Sequence, residues 1–170
     1  VTDKKTVIYD EARYGIGIKG VNFLMPAMQK WENIRAIDVG GTVCVGLKHD
    51  GTVVSYDSRV YRSGLAPLDG HKITPLERSE RFFTDSWRNI IAVAAGANHV
   101  VGLQADGIVV ACGKNDHGQC NVQDWRGIIA IAAQGNNTVG LREDGTVVAC
   151  GDNQYGQCDV YGIRLFSSLQ

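Results

Sequence analysis

The chain has 170 residues, with 17 Lys and Arg against 18 Asp and Glu, 21 Gly and 3 Pro. That length supports one core, the glycines ask for many tight turns, and the charge balance gives no electrostatic reason for nucleic acid or an anionic membrane as partner. No run approaches the roughly 18 apolar residues of a membrane span, and Val1–Lys5 carries no secretory apolar segment.

The chain repeats itself. Trp31, Trp87 and Trp125 each stand 19 positions before an Asp-Gly pair, closed by Gly51, Gly107 and Gly145. Residues 87–124 and 125–162 align without a gap as two 38-residue units, identical at about 23 positions. A period near 40 means a stacked or circular array in which each unit buries its apolar face on its neighbours.

In chain order, residues 1–30 read as a degenerate half-unit, since Asp3–Tyr9 is a worn copy of Asp144–Ala149. Val1 is not an initiator methionine, so the chain reads as processed or cut from something longer. Residues 31–86 form the first repeat, 18 residues longer than its sisters, with an insertion over about 57–85. Residues 87–124 and 125–162 are the second and third repeats. Residues 163–170 open a further unit, with Ile163–Phe166 matched to the strand that begins at Ile128. The whole reads as one domain, or part of one, of about three and a half repeats. Half-finished terminal strands would expose unpaired backbone, so either a larger ring or an assembly of copies is expected to cover them.

Within a unit, Ile90–Ala94 is a short β-branched run ended by a turn, with Ile128–Ala132 as its counterpart. His99–Leu103 and Ile108–Cys112 flank Asp106-Gly107, a strong hairpin signal because Gly accepts positive φ. Gln119–Val122 follows a polar loop and is expected to form a fourth, edge strand. Four antiparallel strands in 38 residues predict an all-β chain built of β-propeller blades. A helix-pair solenoid is excluded by the short Val- and Ile-rich runs broken by Gly.

The tryptophans read as packing between blades, with ligand stacking as the alternative. Among the five cysteines, Cys112 matches Cys150 and Cys120 matches Cys158. Their Cys-x7-Cys spacing lacks the short zinc knuckle, so small buried slots are the preferred reading. The odd count favours a reducing, cytoplasmic compartment over a secreted one. His49, His71, His99 and His117 do not recur with carboxylates or Cys at one repeat position, and no nucleophile elbow or phosphate loop appears. A non-enzyme without metal or cofactor is therefore expected.

Two surfaces are candidates for a partner. The insertion carries Arg59, Tyr61, Arg62, His71, Arg78 and Phe82, with Tyr56 at its edge, and aromatic and Arg side chains are enriched at interface hot spots. Its alternative is a tolerated insertion with no partner. Loop positions that vary between copies, His99 against Asn137 and His117 against Tyr155, form the second surface, and random drift would look the same.

The segments Trp87–Cys120 and Trp125–Cys158, with Gly-x-Asn-x-x-Gly-Gln at Asn115 and Asn153, resemble the regulator of chromosome condensation repeat in its bacterial form. The resemblance covers residues 31–56 and 87–166 and implies a propeller, seven-bladed in its best-known members. It implies a module that presents variable loops to a protein partner, some bacterial relatives being inhibitors that cap β-lactamases. The eukaryotic branch implies nucleotide exchange on a small GTPase and chromatin docking, against which the near-neutral charge counts. A structural repeat domain of a longer surface protein is the third reading.

Overall fold

The computed structural model describes residues 31–57 and 84–166, in which every regular element is a strand. The strands are β1 (Ile34–Val39), β2 (Val43–Lys48), β3 (Val53–Asp57), β4 (Ile90–Ala95), β5 (His99–Gln104), β6 (Val109–Gly113), β7 (Ile128–Gln134), β8 (Asn137–Arg142) and β9 (Val147–Gly151). They form three antiparallel sheets, ordered β1-β2-β3, β4-β5-β6 and β7-β8-β9. The expected half-unit over 1–30, insertion residues 58–83 and residues 167–170 lie outside the described residues.

Each sheet is closed by its Asp-Gly turn. Gly51, Gly107 and Gly145 have φ of 78°, 79° and 85°, a region costly for residues with a Cβ. The preceding Asp fixes the turn from outside: Asp144 Oδ1 accepts from Thr146 N at 2.9 Å and Thr146 Oγ1 at 2.6 Å. Asp50 does the same with Thr52. These bonds hold both carboxyls below the usual carboxylate range, because they favour the charged form.

A second left-handed position recurs two residues after each Trp, at Asn33 (φ 59°), Asn89 (57°) and Gly127 (62°). Asn tolerates this region better than other side chains. Asn89→Ala is expected to cost about 1–2 kcal/mol and Asn89→Gly almost nothing. Urea unfolding followed by circular dichroism checks the pair.

The first strands of adjacent sheets touch, β1 on β4 and β4 on β7, so the sheets radiate from their first strands as blades do. Two seams seal them. The first gathers Val43, Val45, Leu47 and Val53 of sheet one against Trp87, Ile90, Ala95 and Val100. The second gathers Ala94, Val101, Leu103, Val109 and Val122 against Trp125 and Ile128. Each Trp lies over a glycine of its own middle strand: a Cβ at Gly102 would stand 2.8 Å from the Trp87 ring, and one at Gly140 2.9 Å from Trp125. Glycine there lets a large ring lie flat between two sheets.

The structure departs from the sequence expectation at the fourth strand. Gln119–Val122 forms no strand: Gln119 and Cys120 lie in a turn, and Asn121 and Val122 are irregular. Its N–H groups are already engaged locally: Cys120 N donates to Asn115 Oδ1 at 2.7 Å, Asn121 N to Gly118 O at 2.9 Å and Val122 N to Cys120 O at 2.9 Å. Side-chain capping of this kind competes with a sheet ladder. The tail also differs. Ile163 N donates to Val160 O as Trp125 N does to Val122 O, so Ile163 stands at the Trp position of a following unit. The only strand-like feature of the tail within the described residues is the single bridge Thr146–Arg164.

Candidate protein-interaction face

All three sheets send the same connections to one end. The β1–β2, β4–β5 and β7–β8 turns lie there, joined by the segments that follow β6 (114–121) and β9 (152–159). Backbone bonds stitch the end together around the hub: Thr42 N donates to Ala97 O at 2.9 Å and Ala97 N to Gly135 O at 2.7 Å. Lys114 N to Asn98 O and Asp152 N to Asn136 O tie the outer segments to the inner turns. β3 also finishes at this end, at Asp57, so the chain departs toward residues 58–83 from the same face.

The segment after each third strand is a rigid, repeated loop. Asn115 takes Cys120 N on Oδ1 and donates from Nδ2 to Asn121 Oδ1 at 3.0 Å. Asn153 repeats this with Cys158 N and Asp159 Oδ1. Gln119 Oε1 accepts from His117 N, and Gln157 Oε1 from Tyr155 N, at 2.9 and 2.8 Å. The loops therefore hold His117 and Tyr155 at one repeat position, both exposed, Tyr155 at 89 %. Lys114 is the sole Lys or Arg of these loop segments, and its ammonium lies 2.8 Å from Asp116.

Two of the variable positions are not surface. His99 is fully buried, which corrects its assignment to partner contact. Its Nε2 lies 2.8 Å from Thr138 Oγ1, which donates its proton to Gln119 O at 2.7 Å. Thr138 has one hydrogen to give, so His99 Nε2 is the donor. Burial pushes its pKa down to about 4, and Nδ1, against Gly96, has no partner. Asn137 is half-buried and donates to Asp152 O at 2.6 Å, bracing its own blade. Tyr56 is half-buried on β3. Arg59, Tyr61, Arg62, His71, Arg78 and Phe82 lie outside the described residues.

Sequence reasoning missed Tyr161, which stands fully exposed, and Thr138. A hydroxyl at the place Val100 holds one unit earlier was the available signal for the latter. Cys44 is buried and the other four cysteines are half-buried, Cys112 and Cys150 against the two seams. Burial raises the thiols of Cys120 and Cys150 to about 11 and of Cys44 to about 12, which suppresses thiolate chemistry.

Radial antiparallel sheets sealed by a tryptophan from the next unit define a repeat-built β-propeller. Its second and third units, at residues 90–119 and 128–157, match the model of the regulator of chromosome condensation (RCC1) repeat. No curated protein matches the chain. Among solved structures it is similar to Prp20p from Saccharomyces cerevisiae, described with its binding to Gsp1p and histones (22 % identity, TM-score 0.52, 76 % of this chain and 33 % of that one). It is also similar to human WBSCR16 (18 % identity, TM-score 0.53, 79 % and 39 %). The chain thus spans about a third of the first and about two fifths of the second.

Proposed function

We propose that this chain is a non-enzymatic protein-interaction module that engages a protein partner with the loop end of its blades. The observation that supports this most is the placement of His117 and Tyr155 at one repeat position of two rigid, hydrogen-bonded loops. An aromatic side chain presented on a fixed backbone leaves only its own rotamers to be ordered on binding, which suits it as an anchor. Bacterial relatives that cap an enzyme with one end of the ring would bind in the same sense.

The second reading, nucleotide exchange or chromatin association, follows from the likeness to Prp20p. Among the described residues, the loop segments after β6 and β9 speak against the chromatin version, because their one cation, Lys114, is paired with Asp116 and phosphate binding needs several uncompensated Lys or Arg.

The test is cross-linking of the 170-residue chain to proteins captured from its source cell, repeated with the H117A/Y155A variant. The double variant is expected to fold normally and to bind the captured protein about 30-fold or more weakly, the loss typical of a hot spot. Undiminished capture by the folded variant removes the loop end as the binding face. Salt-sensitive binding to duplex DNA would instead favour the chromatin reading.

A further inference from the structure

The Asp-Gly turns of the three sheets share one backbone and differ in one side chain. The N–H of each Gly donates three residues back: Gly51 to Lys48 O at 3.1 Å, Gly107 to Gln104 O at 3.0 Å and Gly145 to Arg142 O at 2.9 Å. Directly after the Gly, the first and third turns carry Thr52 and Thr146, whereas the second carries Ile108. Asp50 and Asp144 therefore accept two bonds each, one from a backbone N–H at 2.9 Å and one from a hydroxyl at 2.6 Å. Asp106 Oδ1 accepts one, from Ile108 N at 3.1 Å. The glycines differ as well, Gly51 and Gly145 being buried while Gly107 is half-buried beside an exposed Asp106. This turn belongs to the middle sheet, with described sheets on both sides of it.

An Asp followed by Gly is open to attack of the main chain on the side chain, since Gly places no Cβ in the way of its own nitrogen. The Gly nitrogen adds to the Asp Cγ: an N–C bond forms, a C–O bond of the carboxyl breaks, and the hydroxyl leaves as water with the amide proton. Water then reopens the cyclic imide. Addition at the side-chain carbonyl restores Asp, and addition at the main-chain carbonyl leaves the chain running through Cβ and Cγ as isoaspartate. One water leaves and one enters, so no oxidant, reductant or further reactant is required. Because the oxygen departs as hydroxyl, the carboxyl must be protonated and free to turn. The Thr hydroxyls oppose both conditions, holding Asp50 and Asp144 in the charged form and in one orientation.

We propose that Asp106-Gly107 is a site of spontaneous isoaspartate formation in the folded chain, and that the hydroxyls of Thr52 and Thr146 protect the two sister turns. The proposal is independent of the loop-end reading. The product inserts one methylene into the main chain of the β5–β6 hairpin, between two bonds that anchor it: Ala105 N donates to Asn89 O at 3.0 Å, and Gly107 O accepts from Ile128 N at 3.1 Å. Isomerisation therefore loosens the joint between the second and third sheets at this end.

The experiment keeps the folded chain at mildly acidic pH and body temperature for weeks, digests it, and quantifies isoaspartate at each site by peptide separation with electron-transfer fragmentation. Methylation by an isoaspartyl methyltransferase is the second readout. Asp106 is expected to convert about 5-fold or more faster than Asp50 and Asp144, the factor set by one hydrogen bond of ordinary net strength. Ile108→Thr should slow Asp106 to the rate of the other two, and Thr146→Val should speed Asp144 toward that of Asp106, so the two variants read the hydroxyl in opposite directions. In urea the three sites should convert alike, which separates the turn's structure from its local sequence. Asp69-Gly70, outside the described residues, is quantified as a separate peptide. Equal rates at the three turns of the folded chain, an Ile108→Thr variant that converts at Asp106 as fast as the wild type, or a preference for Asp106 that persists in urea would each overturn the proposal.

Discussion

Trp87→Ala is expected to lower stability by about 3–5 kcal/mol, the usual cost of emptying a buried aromatic site. The ring is 7 % exposed and touches both sides of the first seam, with Val43, Val45 and Leu47 on one side and Ile90 and Val100 on the other. It lies over Gly102, which has no side chain to move into the space. The hole therefore cannot collapse from that direction, which puts the loss near the upper end of the range. Against a total of about 5–15 kcal/mol for a typical domain, such a change leaves little. Trp31→Ala should cost clearly less, because Trp31 is only half-buried. Guanidinium unfolding of both variants checks the order, and a Trp87→Ala loss below about 1 kcal/mol, an ordinary surface value, would mean the seams are not held by their tryptophans.

The second large effect is on acid stability. His99 is neutral and sealed in the folded chain, with its pKa depressed to about 4, whereas an unfolded histidine titrates near 6.5. Between those values the unfolded state binds the proton and the folded state does not, so stability falls as pH drops from about 6.5 to 4 and then levels off. The full span corresponds to about 3 kcal/mol from this residue, as an upper figure. His99→Asn takes the residue that stands at 137 and removes the titration. Unfolding curves at pH 7, 5.5 and 4 should converge for the two proteins as acid increases, and parallel curves would mean that His99 does not carry the effect.

Most of the architecture was legible because its signals are local. Trp31, Trp87 and Trp125 mark unit starts, and Asp-Gly pairs mark hairpins whose φ leaves glycine as the natural choice. The fourth strand was misread because Gln119–Val122 has strand-like composition, while the decisive competitor is the Asn115 side chain five residues upstream. The tail was misread by three positions because Ile163 mimics a strand start while occupying a tryptophan's place. His99 resembled a loop residue because its repeat partner is Asn137. Its burial depends on Thr138, 39 residues away, and such pairing across a seam leaves no mark on spacing.

Positions 99 and 138 have another consequence. At the first seam the equivalent pair is Val43 and Val100, both fully buried and apolar. At the second it is an imidazole and a hydroxyl that answer one another. Exchanging the second and third units would set Val43 on Thr138 and Asn137 on Val100, stranding polar groups at a cost of about 1–3 kcal/mol each. Two near-duplicate segments in one polypeptide invite folding errors in which one takes the other's seat. These matched contacts act as an address label, so that each blade recognises its rightful neighbour.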